Sequence, residues 1–289
     1  EDQPMSQTQL QDHCLRAMTT EDGFRALGVR TTETVQRAID AQGVSGEVAR
    51  IYGELLTGVV LIRETMAPKL RVQAILKRLE GGSMVADSHP SGRTRGLVNL
   101  KGASAIELGP QTHLQMVREL PNGELHQGVV ATAPEYGLSA SLTTYMARSE
   151  QVETAIGVGC KLDGDRVVAA GGYLIQHMPN ADMDVLAQIT ASLEQLGSIE
   201  SLLVDNDADP QPIFDRMLDG IGHDVLHRSE VQFGCNCSTE RFLNSLSTLG
   251  RAEIEELVAD DEPLDITCDY CAEQYLISTN RLRDLLEAG

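Results

Sequence analysis

Four of the six cysteines lie near the C-terminus in two tight pairs, Cys235-Asn236-Cys237 and Cys268-Asp269-Tyr270-Cys271, with 30 residues between them. Each pair can sit on a tight turn and present two sulfurs to one point. Four thiolates at ~2.3 Å from a single ion make a closed tetrahedral zinc site; an iron–sulfur or iron-tetrathiolate site is the minor alternative. Thiolates are also the form that oxidants attack, and zinc holds them deprotonated at neutral pH. The spacing therefore leaves three chemistries open. One is a permanent structural zinc knuckle serving a constitutive interaction module, although zinc ribbons use C-x2-C at both ends and the first pair here is one residue shorter. The second is a redox switch: each pair is close enough to close a disulfide within itself, which would remove two ligands and the folding energy that the metal supplies. The third is a thiol oxidoreductase using Cys268 and Cys271. That reading lacks the helix N-terminus that lowers a thiol pKa, and the acidic setting pushes the thiols the other way.

Other residues with chemical potential lead less far. Cys14 sits on a Leu10–Cys14–Met18 spacing that predicts a helical stripe, and Cys160 on the apolar face of an alternating strand, so both read as core thiols. His223 and His227 would share a helix face and echo H-E-x-x-H, but Asp224 stands where the Glu would be and no third ligand is evident. They read as a solvated or linker-packing pair. Gly157-Val158-Gly159 lacks the third glycine of a dinucleotide fingerprint, and no G-x-x-x-x-G-K-[ST] occurs, so nothing supports an ATP-driven mechanism. His89, Ser91 and His113 have no visible triad partner, and Arg93-Thr94-Arg95 reads as a small surface patch.

The elements that must position the two pairs belong to a chain of 289 residues that is 42% apolar, with 3% aromatics and no Trp, so its core must be aliphatic. Net charge is −20, concentrated in residues 181–289, which carry 23 acids against 6 bases. Such a segment repels phosphate backbones and anionic lipid, which argues against nucleic acid and membrane as partners. Its like charges also oppose compaction. No apolar run approaches the ~20 residues of a spanning helix, and nothing reads as a signal peptide. Clustered cysteines in a long chain suggest metal or redox chemistry in the cytoplasm.

Three regions follow from composition and period. Residues 1–180 read as a mixed α/β domain, with a strand at 23–29, a helix from Thr31 to about Gln42, and a helix over 46–66 that Ser45 caps. That second helix is apolar around most of its circumference and should be buried on nearly all sides. Strands are expected at 70–79, 84–88, 94–100 and 113–120, then a return strand at 125–132 across Pro121-Asn122-Gly123-Glu124. A helix over 139–148 and a hairpin of 152–160 with 166–177 complete the domain. Residues 181–231 read as a linker of three short helices, the third opening at Asp209-Pro210. Its apolar positions, among them Ile189, Leu202, Leu203, Ile213, Phe214 and Leu218, should pack on the N-terminal domain. Residues 232–289 form a small C-terminal unit. It has helices from Ser238 and over 251–259, a hairpin around the second cysteine pair, and a last helix from Thr279. About 60 residues with few large apolar groups are marginal alone, and structural zinc would supply the missing free energy.

Several stretches together resemble the heat-shock protein 33 family of redox-regulated holdase chaperones. Cys235-Asn236-Cys237-Ser238-Thr239-Glu240-Arg241 is similar to its C-x-C-[ST]-x-x-R, and Cys268 to Cys271 to its C-x2-C partner. Tyr145-Met146-Ala147-Arg148-Ser149-Glu150-Gln151 resembles Y-F-x-x-S-E-Q with Met in the Phe place. Residues 170–179 resemble the end of the family's N-terminal domain. The resemblance implies an α+β fold: an N-terminal β/α/β sandwich around a buried helix, a helical linker and a C-terminal zinc domain. It also implies that Cys235, Cys237, Cys268 and Cys271 bind one zinc when the protein is reduced and inactive. Oxidation would form the Cys235–Cys237 and Cys268–Cys271 disulfides, eject zinc and loosen the linker. The homodimer so activated would bind unfolding client proteins without ATP.

Overall fold

A computed structural model describes residues 11–20, 23–67, 69–103, 105–179 and 181–288. The fold is α+β and divides into two compact units, Glu1–Phe233 and Gly234–Gly289. The larger unit opens with β1 (His13–Thr19), β2 (Phe24–Arg30), α1 (Thr32–Gln42) and α2 (Gly46–Thr65). Five antiparallel strands follow: β3 (Val72–Arg78), β4 (Ser83–Ser88), β5 (Arg93–Asn99), β6 (Thr112–Glu119) and β7 (Leu125–Ala131). Helix α3 (Gly137–Tyr145) runs into a π-helical turn and then the hairpin of β8 (Thr154–Asp163) and β9 (Arg166–His177). Helices α4 (Met183–Gln195), α5 (Ile199–Asp205) and α6 (Pro210–Met217) lead to β10 (His223–Glu230) and β11 (Gln232–Phe233).

Two sheets result, ordered β10-β1-β2-β9-β8 and β11-β5-β4-β3-β6-β7. Helix α2 lies between them and touches strands of both. Its apolar residues run around the whole helix, and from Val48 to Glu64 all but Arg50 are buried, the pattern of a helix with no solvent face. The five-stranded sheet is apolar on both sides. Cys14, Leu27, Val29, Val158, Cys160 and Leu174 face the α2 core. Leu15, Phe24, Ala26 and Ile175 face a second core, where Ile189, Leu202, Leu203, Ile213, Phe214 and Met217 of α4–α6 cover them.

Side-chain caps form on the three helices α4–α6 but not on α1 or α2: Ser45 precedes α2 in extended backbone and makes no side-chain cap hydrogen bond, so the cap expected there is not formed. Asp182, Ser198 and Asp209 each accept a backbone N–H in the first turn of their helix. Thr31 sits at the N-cap of α1, but its hydroxyl bonds Thr57 at 2.7 Å. The open N–H groups of Glu33 and Thr34 are met by the buried Asp12 carboxylate, which also pairs with Arg30 at 2.6 Å.

Two further expectations are corrected. Cys14 lies in strand β1, not on a helical stripe; Leu10 falls outside the described residues. His223 and His227 lie in strand β10, which pairs antiparallel with β1, so they share no helix face. β10 is an edge strand, exposed along most of its length, so burial imposes no alternation on it. A register shift opposite Arg16/Ala17 blurs the period further.

Candidate metal centre

The smaller unit holds α7 (Thr239–Leu246), α8 (Arg251–Ala259), β12 (Leu264–Thr267), β13 (Gln274–Ile277) and α9 (Thr279–Ala288). Its core is small: Leu243, Ile277 and Leu282 are buried, with a partly buried rim that includes Phe242, Leu246, Leu264 and Ile266. A unit of this size with so few buried residues is marginal on its own.

Two turns carry the cysteines. Cys235 and Cys237 precede α7, whose first turn Ser238 caps by accepting from the Arg241 N–H. The Arg241 guanidinium reaches back to donate to the Asn236 carbonyl at 3.1 Å, which ties the C-x-C turn to the helix. Cys268 and Cys271 occupy the turn between β12 and β13. There Cys268 N–H donates to Glu273 O at 2.9 Å and Ala272 N–H to Cys268 O at 2.8 Å, with Ala272 in the left-handed region at φ 58°. The hairpin register sets Ile266 opposite Tyr275 and Leu264 opposite Ile277, so the core-facing side chains fix the aim of the turn.

All four Sγ atoms lie within 4.8 Å of one another. Cys235 is 3.8 Å from Cys268 and Cys237 is 3.4 Å from Cys271. Sulfurs at ~2.3 Å from a common tetrahedral centre are ~3.8 Å apart, so the donor set fits one ion and could hold it. Burial is the main effect raising the Cys237 and Cys271 thiols above the ordinary thiol range. The other three thiols add to the rise at Cys271, while at Cys237 the Tyr275 hydroxyl and the Cys271 thiol work against it. Such thiols keep their protons at neutral pH unless a cation draws them into the thiolate form. Neither Cys268 nor Cys271 lies at a helix N-terminus.

The other cysteines take no part. Cys14 and Cys160 are buried in the larger unit, and burial pushes both thiols up to about 12. The sequence reading did not assign Tyr275, whose hydroxyl is 3.1 Å from Cys237 Sγ. Its only sequence signal is an aromatic with a polar tip on the return strand, four residues beyond Cys271.

A family model described as "Hsp33 protein" matches residues 12–278. The chain belongs to the Hsp33 family. Relatives named 33 kDa chaperonin include that of Shouchella clausii, 30% identical and aligned over 96% of this chain and 98% of its own length. That of Thermoanaerobacter sp. (strain X514) is 27% identical over 96% and 98%. The crystal structure of the 33 kDa chaperonin from Thermotoga maritima aligns with a TM-score of 0.83 at 24% identity, covering 96% of this chain and 99% of that one. That likeness supports the Hsp33 fold, and the names of the relatives make the family one of chaperones.

Proposed function

We propose that this Hsp33 chain is a redox-regulated, ATP-independent holdase that binds unfolding client proteins in the cytoplasm. The observation that carries the reading is the convergence of four sulfurs in a unit with too small a core to hold itself. Cys235, Cys237, Cys268 and Cys271 would bind one zinc ion in the reduced, inactive protein. Bound zinc supplies folding free energy, apparently ~10–16 kcal/mol in zinc-finger peptides. Oxidation joins Cys235 to Cys237 and Cys268 to Cys271. Each disulfide withdraws two of the four donors, and the acidic segment that they brace then opens. Residues 181–231 follow as a redox-sensitive linker between an N-terminal chaperone domain (1–180) and the switch domain (232–289). Release of α4–α6 bares Leu15, Phe24 and Ile175 on the sheet as well as Ile213 and Phe214 on the helices, which are surfaces suited to unfolded chains. The active form is a homodimer.

Client aggregation followed by light scattering tests this. Protein oxidised with peroxide under mild unfolding stress should suppress it, and reduced, zinc-loaded protein should not. Client binding that survives reduction and fails only on chelation would favour a constitutive zinc-dependent module instead. Oxidised protein without effect would overturn the proposal.

A further inference from the structure

The Tyr275 hydroxyl lies 3.1 Å from Cys237 Sγ, 3.3 Å from the Cys237 carbonyl and 3.0 Å from Glu273 Oε2. Its ring stands on Phe242, 5.0 Å between centroids, which fixes where the hydroxyl points. A metal-bound cysteine sulfur carries no proton, so in that state sulfur, carbonyl and carboxylate are all acceptors and only the tyrosine has a proton to give. From this geometry we infer that Tyr275 is a positioning residue that donates to Cys237 and damps its attack on oxidants, in competition with Glu273. The inference rests on the redox reading of the same four cysteines and adds what sets the threshold at which Cys237 reacts.

The oxidant is hydrogen peroxide. The Cys237 sulfur attacks one peroxide oxygen, the O–O bond breaks, and the departing hydroxide takes a proton to become water. The Cys235 thiolate then attacks the resulting sulfenic sulfur, an S–S bond forms, and a second hydroxide leaves and is protonated. Two electrons pass from the two sulfurs to the peroxide. Only the first attack depends on the electron density of Cys237, and a hydrogen bond into that sulfur draws density away. A hydrogen bond to an ionised group is worth about 10- to 100-fold in basicity. Nucleophilicity follows basicity with an exponent of ~0.4–0.5, so loss of the bond should raise the rate about 3- to 10-fold. Outer hydrogen bonds to ligands also hold metal: their removal typically costs about 10- to 100-fold in affinity.

The test uses full-length, zinc-loaded protein as wild type, Tyr275→Phe and Glu273→Gln. Tyr275→Phe keeps the ring on Phe242 and removes only the hydroxyl. Glu273→Gln replaces a charged acceptor by a neutral one and leaves the tyrosine proton to the sulfur. Peroxide-driven zinc release is measured with a chromogenic chelator, corrected for release to the chelator alone. Tyr275→Phe should be about 3- to 10-fold faster than wild type, and Glu273→Gln slower than wild type, since a neutral amide competes less well than a carboxylate for the tyrosine proton. Cobalt(II)-loaded Tyr275→Phe should also show a shifted sulfur-to-metal charge-transfer band, which a purely structural role of the ring would not produce. Equal rates and an unshifted band in Tyr275→Phe would overturn the inference, as would acceleration by both variants alike. If wild-type protein keeps its zinc under peroxide, the redox reading fails, and the cobalt band still decides whether Tyr275 hydrogen-bonds the sulfur.

Discussion

In the proposed zinc site each of the four sulfurs would be irreplaceable, because a tetrahedral site has no spare ligand. Replacing Cys271 by Ser should reduce zinc content from one per chain to near zero. It should also abolish cooperative unfolding of 234–289 under reducing conditions, checked by metal analysis and by hydrogen exchange over that segment. Retained zinc and protection would remove Cys271 from the ligand set. Glu54 is a different kind of residue-scale feature. Burial inside α2 pushes its carboxyl up to about 7, against the opposing pull of Arg50. A carboxyl whose folded pKa is raised favours the folded state while protonated. That stability is complete below the ordinary value of 4.5 and is lost as pH rises through about 7. The whole effect is at most ~3 kcal/mol. Glu54→Gln should therefore flatten the dependence between pH 4.5 and 7 and gain on wild type at pH 8, measured by urea unfolding across that range. Parallel curves for the two proteins would contradict the assignment.

At the scale of elements, α2 and the linker strand carry the argument. Gly53 of α2 faces β8 so closely that a Cβ there would lie 2.6 Å from Cys160 Sγ and 2.8 Å from Val35 Cγ1. Overpacking costs about 1–3 kcal/mol, against ~1 kcal/mol gained in helix propensity. Gly53→Ala should destabilise the larger unit by up to ~2 kcal/mol, read from its unfolding midpoint; a stabilised variant would mean that the two layers can separate freely. Strand β10 gives a second test. It pairs with β1 from His13–Glu230 to Thr19–His223, so the proposed release of 181–231 under oxidation would have to break that ladder as well as the packing of α4–α6. Amide exchange over 223–230 should be slow in reduced protein and fast in oxidised protein. Equal protection in both states would confine any opening to the smaller unit. These two elements also mark what the sequence could and could not disclose. The all-round apolar pattern of α2, the hairpin of 152–160 with 166–177 and the Asp209-Pro210 start were legible because propensity, burial and turn chemistry agree there. β1 and β10 were not, since one carries a Leu-Cys-Met spacing that mimics a helix and the other is an exposed edge with a bulge. The cysteine set was legible because its spacing alone demands a common point. Tyr275 was not, because its role depends on a hairpin register that residue spacing does not encode.

At the scale of the whole molecule, stability is distributed unevenly. The larger unit has two apolar cores, mostly aliphatic but each with buried aromatics, while the smaller has a handful of buried residues in a region of high negative charge. Such a division lets one part respond to sulfur chemistry while the other persists. The measurement closest to the central claim counts bound zinc and free thiols in the same sample before and after peroxide, with amide exchange over 234–289 as the structural readout. The account predicts one zinc and four reactive thiols at the start. After oxidation it predicts no zinc, the four thiols consumed in two disulfides, and a smaller unit that has lost its protection. A unit that stays protected once those four sulfurs are paired, or a metal that remains bound, would contradict it.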